Sequence, residues 1–168
     1  MKKSIQKQII LISPSGKIRV PCSISYDDST EEFYPRSEIS VIYNGVNYQG
    51  YGTDYLLTDT WADLQKKLPQ GVKIACCMTC RHGNMCPFGS DINELFCTKD
   101  LMITCKWDMV ELFSNNSPFE ERLVFAYGFC DGFIYQSNDY YTYNDYLYQL
   151  EKTNTLARFC AKTTPTGG

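Results

Sequence analysis

A chain of 168 residues, 43% hydrophobic and 21% charged, is long enough for one domain with a true core, and its 13 Tyr, 9 Phe and 2 Trp argue against disorder. A net charge of −3 and a pI near 5.2, with no basic run longer than Lys2-Lys3 or Lys66-Lys67, argue against nucleic acid as a partner, because phosphate binding needs a basic face. No stretch reaches the ~20 apolar residues of a membrane span or the ~7–15 of a secretory core, and the 9 cysteines are odd in number and unevenly spread, so a cytoplasmic protein without a disulfide framework is expected.

Along the chain, Ile5 to Ser13 is apolar and Pro14-Ser15-Gly16-Lys17 reads as a turn. Ile18, Val20, Cys22, Ile24 and Tyr26 then alternate with polar residues, the period of a strand. Pro21 lacks an N–H for a ladder, which predicts an edge position. Asp27 to Ser37 is acidic and reads as a solvated loop. Ile39, Val41 and Tyr43 lead into Asn44-Gly45, and Val46 and Tyr48 follow it, which predicts a second hairpin on a type I′ turn.

From there the period lengthens. Thr60 and Asp63 resemble a capping box, and Trp61, Leu64 and Leu68 make a helical stripe that Pro69 ends. Val72, Ile74 and Cys76 return to strand period and deliver the chain into a cysteine cluster. Beyond it, Trp107 to Phe113 suits a short helix. Ser117-Pro118-Phe119-Glu120 has the signals of a helix start, with Phe119, Leu123, Ala126 and Tyr127 as its buried face and Gly128 as its cap. Phe129 to Tyr135 reads as a strand weakened by Gly132. A last helix begins near Thr142, with Tyr143, Tyr146, Leu147 and Leu150 as its inner stripe. The fold class is α+β: N-terminal antiparallel hairpins with three or four short helices and a cysteine-bound metal knuckle. One domain over residues 1–162, with the knuckle at 76–105, precedes a flexible tail at 163–168.

The cluster has the spacing C-x2-C-x5-C-x10-C over Cys77, Cys80, Cys86 and Cys97. Two cysteines with two residues between them can set both sulfurs on one cation, and four thiolates close a tetrahedral zinc site. Cys76, His82 and Cys105 are substitute ligands, since a second C-x2-C is missing. Zinc is the expected ion. An iron–sulfur cluster is the alternative, because Cys86-Pro87 is also the Cys-Pro pair that ends ferredoxin motifs. Unliganded buried thiols remain open as a third reading.

Residues 76–100, through C-x2-C, Cys-Pro-Phe-Gly and Glu-Leu-Phe-Cys-Thr-Lys-Asp, resemble a segment of uncharacterised bacterial cysteine-cluster proteins. The resemblance implies no activity and no catalytic residue. It does imply that Cys86 is the least secure ligand, because a Pro-Tyr-Gly stands at its place in some of those proteins.

His82 is the one histidine, and nothing at a readable spacing orients it as a base. There is no phosphate loop, dinucleotide fingerprint or nucleophile elbow. The run from Asp139 to Tyr148 holds five tyrosines. Tyr143 and Tyr146 fall on the inner stripe, which leaves Tyr140, Tyr141 and Tyr148 as a partner-facing edge. A terminal Gly167-Gly168 is the tail that ubiquitin-like modifiers present for conjugation. Three function classes follow. The first is a non-catalytic, metal-stabilised protein-interaction module, which the residues favour. The second is a thiol- or iron–sulfur-dependent enzyme, and the third a ubiquitin-like protein conjugated through Gly168.

Overall fold

The computed structural model describes residues 1–27, 36–115 and 118–152. The acidic loop after Asp27, the Ser117 cap, and the tail with Gly167 and Gly168 lie outside the described residues.

Alternation in the first fifty residues becomes four strands, β1 (Lys2–Ser13), β2 (Gly16–Asp27), β3 (Ser37–Tyr43) and β4 (Val46–Gly52). Alternate side chains share a face. Ile9, Val20, Cys22, Ile24, Ile39 and Val41 therefore line up on one side of the sheet, each at most 3% exposed. Asn44 and Gly45 adopt φ of +50° and +75°, the paired positive values whose twist suits a two-residue hairpin. A fifth strand, β5 (Lys73–Ala75), pairs with the free side of β1. The order is β4-β3-β2-β1-β5, antiparallel throughout.

β2 is therefore an interior strand, contrary to the edge position that Pro21 suggests. The ladder resolves the conflict. Pairing with β3 stops at Cys22↔Val41, so Pro21 faces only Gln8 of β1 and no second ladder requires its missing donor.

Helix α1 (Thr58–Lys67) buries Trp61 and Leu64 completely against this sheet. It lies so close to β4 that a Cβ at Gly50 would come within 2.5 Å of the Thr60 carbonyl oxygen. The helix starts earlier than the Thr60–Asp63 signal implies. Its entry residue, Leu57, is left-handed at φ +64°, and Asp54 accepts the Thr58 N–H at 3.3 Å. Asp63 is occupied elsewhere, accepting the Tyr51 N–H at 2.8 Å and the Lys67 ammonium at 2.7 Å.

Past the cysteine-bearing turn, β6 (Gly83–Asn84), β7 (Glu94–Cys97) and β8 (Leu123–Phe125) form a second antiparallel sheet. Helix α2 (Lys106–Ser114) stands beside it, with Phe113 edge-on to Phe96 at 4.8 Å. The helix predicted from Phe119 is instead one 3-10 turn, Phe119–Arg122, followed by β8. Pairing Val124 with Leu95 replaces the helical face. The strand predicted at Phe129 to Tyr135 is reduced to a single bridge, Tyr135↔Cys80. A third helix, α3, occupies 146–152 among the described residues, with Tyr146 buried. The chain is thus mixed α and β, and among the described residues no helix is long and apolar enough to cross a membrane.

Candidate metal centre

β5 runs directly into a 3-10 turn, Cys77–Thr79. Thr79 fixes the junction: its hydroxyl donates to the Ile74 carbonyl at 2.9 Å and accepts the Cys76 N–H at 3.2 Å. The Cys80 N–H returns to the Cys77 carbonyl at 3.3 Å, and the Gly83 N–H to the Cys80 carbonyl at 3.1 Å. Gly83 is required here for space, since any Cβ would overlap the Cys77 carbonyl oxygen. Its register partner across the small sheet is Cys97.

The residues from Ala126 to Tyr146 enclose this turn. Cys77 N–H donates to Gly128 at 2.7 Å, Met78 N–H to Ala126 at 3.0 Å, and Arg81 N–H to Ile134 at 2.8 Å. The Asn144 amide donates to the carbonyls of Met78 and Gly83, each at 3.0 Å, and Asn84 accepts the Tyr143 N–H at 2.7 Å. Buried carbonyls left by an irregular turn need such partners.

Three of the four predicted cysteines, Cys77, Cys80 and Cys97, line one cavity of about 20 Å³, a volume suited to a single small occupant. Cys86 does not line it. That residue lies in the loop beyond β6, where its N–H donates to the Ser90 hydroxyl at 2.8 Å. Of the substitutes, His82 borders the cavity, with Nδ1 buried and without a hydrogen-bond partner. Cys76 is fully buried in the main core, and Cys105 is exposed at the entry to α2. A residue missed by the sequence reading, Cys130, borders the same cavity. No disulfide forms among the described cysteines, and none of their groupings with His, Asp or Glu stands ready to hold a metal ion as positioned. The thiols border the cavity without meeting at a point.

Their electrostatics follow from this setting. Burial pushes the Cys77 thiol well up, and Cys76, Cys80, Cys97 and Cys130 add to the shift. Burial also raises Cys80, with Cys97 and Cys130 contributing. A thiolate formed near other thiolates is disfavoured unless a cation is shared among them. His82 is driven toward its neutral form, first by burial and then by Arg81 and Lys99.

Outside the cavity a groove of about 640 Å³ runs past Cys77, Cys97 and Cys130, walled by Asp100, Arg122 and Phe125. On another face, Tyr140, Tyr141 and Tyr148 share one depression of about 460 Å³. Tyr140 is seated against the turn, with the Arg81 guanidinium 4.6 Å above its ring and His82 edge-on at 5.8 Å.

A scan against protein-family models finds no match to this chain, and a search of curated proteins finds none either. The functional reading therefore rests on its own residues.

Proposed function

We propose that this chain is a non-catalytic protein-interaction module whose second half is held together by a thiolate-bound zinc ion. The observation that carries the reading is that Cys77, Cys80 and Cys97 border one small cavity. The small sheet has only short strands joined by irregular turns, and a structural zinc would add folding energy to the burial of Met78, Leu95 and Ala126. Burial raises the Cys77 and Cys80 thiols, which disfavours a free nucleophilic thiolate at those two positions. The ubiquitin-like alternative gains nothing from an all-antiparallel meander, because a β-grasp sheet carries a parallel pair.

The interaction surface is the shared depression of Tyr140, Tyr141 and Tyr148. Tyrosine offers wide contact area at low entropic cost. Gln136, which lines the same depression, donates its N–H to the Thr79 carbonyl at 3.0 Å, so the ion would stiffen the tyrosine face indirectly.

Elemental analysis with a visible spectrum on the same sample tests the reading. About one zinc per chain, no visible band and a melting point lowered by chelation are expected. Iron with a visible charge-transfer band would move the reading to the cluster-dependent enzyme. Absence of any metal, with melting indifferent to chelator, would overturn it.

A further inference from the structure

We infer that Cys130, and not Cys86, supplies the fourth sulfur of this site, closing a tetrahedral position with Cys77, Cys80 and Cys97. The inference rests on the zinc reading above and specifies its ligands. Cys130 borders the same cavity of about 20 Å³ as the other three, and Cys86 does not.

The backbone accounts for how a residue so distant in sequence arrives there. Two hydrogen bonds, Cys77 N–H to Gly128 at 2.7 Å and Arg81 N–H to Ile134 at 2.8 Å, fasten both ends of the Cys130 loop to the turn that carries Cys77 and Cys80. Within the loop, the Phe133 N–H donates to the Cys130 carbonyl at 3.0 Å, repeating the Cys80-to-Cys77 closure on the opposite segment. Two similar turns thus face one cavity, the local geometry that lets backbone N–H groups approach thiolate sulfur. Gly128 leaves the Cys77 sulfur room, since a Cβ there would come 3.3 Å from it, and Gly132 lies beside the Cys130 sulfur, 3.7 Å from where its Cβ would be.

Charge fits as well. Loading Zn²⁺ expels one proton from each of four thiols to water and leaves a centre of net charge −2. Lys99 borders the cavity and offsets that charge. Loading would require the sulfurs to turn inward, since no grouping among the described residues stands ready to hold a metal ion as positioned. His82 shares the cavity wall, so three sulfurs with one imidazole is the competing ligand set.

The test uses the full chain loaded with zinc or cobalt(II). Alkylation with iodoacetamide followed by mass mapping should label Cys86 and Cys105 readily and spare Cys77, Cys80, Cys97 and Cys130 until a chelator is added. The cobalt(II) spectrum should carry the bands of four-sulfur tetrahedral coordination. Cys86→Ser should keep about one zinc per chain, and Cys130→Ser should lose most of it. Labelling of Cys130 as fast as Cys105 in the zinc form would overturn the inference while the zinc reading stands. A three-sulfur, one-nitrogen cobalt spectrum would do the same, as would zinc lost from Cys86→Ser but kept by Cys130→Ser. Failure of the wild-type chain to bind either metal would instead overturn the zinc reading itself.

Discussion

Cys77 and Gly128 are joined by a main-chain hydrogen bond of 2.7 Å, and the Gly128 Cα faces the Cys77 sulfur with room for a hydrogen and little more. The turn that carries the first two cysteines is therefore held by residues far downstream, not by its own loop alone. A methyl group at position 128 would sit 3.3 Å from that sulfur and 3.1 Å from the Phe125 carbonyl oxygen. Gly128→Ala should lower stability by about 1 kcal/mol, the low end of overpacking costs. Urea unfolding checks this, and an unchanged midpoint would mean that the sulfur has space to yield.

Gly83→Ala should be far more damaging. Its Cβ would overlap the Cys77 carbonyl oxygen, which is itself bonded to the Cys80 N–H. Backbone cannot rotate aside as a flexible side chain does. A loss of about 3 kcal/mol or more, at the top of the overpacking range, is expected in the same urea measurement. Tolerance of alanine there would contradict the tightness of the Cys77–Gly83 turn.

How much of this was legible in the sequence depends on the range of the interaction. Asn44-Gly45 specifies its hairpin locally, because two positive φ values are needed at adjacent positions and few residue pairs supply them. Trp61 and Leu64 are read correctly as buried because helical period alone puts them on one face. The helical face read from Phe119 to Tyr127 misleads for the same reason. Its local helix signal is outweighed by pairing of Val124 with Leu95, and nothing near position 124 in the sequence announces that partner. Cys97 could be grouped with Cys77 by proximity along the chain, whereas Cys130 could not. The sequence signals beside Cys130 are its glycines, Gly128 reading as a helix cap and Gly132 as a weak point in a strand, until the sulfurs beside them are seen.

Cys22 gives an alkaline signature separate from the candidate centre. Burial, with a smaller contribution from Cys76, pushes its thiol up to about 12 from an ordinary 9.0. In the unfolded chain the thiol loses its proton near the ordinary value, while the folded chain keeps it. The unfolded state therefore binds fewer protons above pH 9, so this contribution to stability is complete below that pH and declines as pH rises toward 12. One such group lowers stability by up to about 1.4 kcal/mol per pH unit. Cys22→Ala should be less stable than wild type at neutral pH and show a shallower decline between pH 9 and 10. Parallel curves would assign the decline to other groups.

Asp100 and Arg122 tie the loop after β7 to the turn before β8. The guanidinium donates to both carboxylate oxygens, at 2.6 and 3.0 Å, and its first nitrogen also donates to the Cys97 carbonyl at 3.1 Å. The hydrogen bond from Arg122 holds the Asp100 carboxyl below its ordinary 3.8. A depressed carboxylate contributes stability that is present above the ordinary value and is lost as pH falls through the folded one. Asp100 is 61% exposed in this pair, so the contribution is that of a surface pair with good geometry, about 0.5–1 kcal/mol, and salt should weaken it. Asp100→Asn should therefore cost that amount at pH 7 and almost nothing at pH values well below 3.8. Arg122→Ala should cost more at pH 7, because it also frees the Cys97 carbonyl, and part of that cost should persist in acid. Urea titrations of the three proteins at both pH values separate the two bonds. Equal costs for the two variants at every pH would mean that the hydrogen bond to Cys97 adds nothing. A persistent acid cost for Arg122→Ala alone would show that this arginine anchors the strand end carrying a candidate ligand.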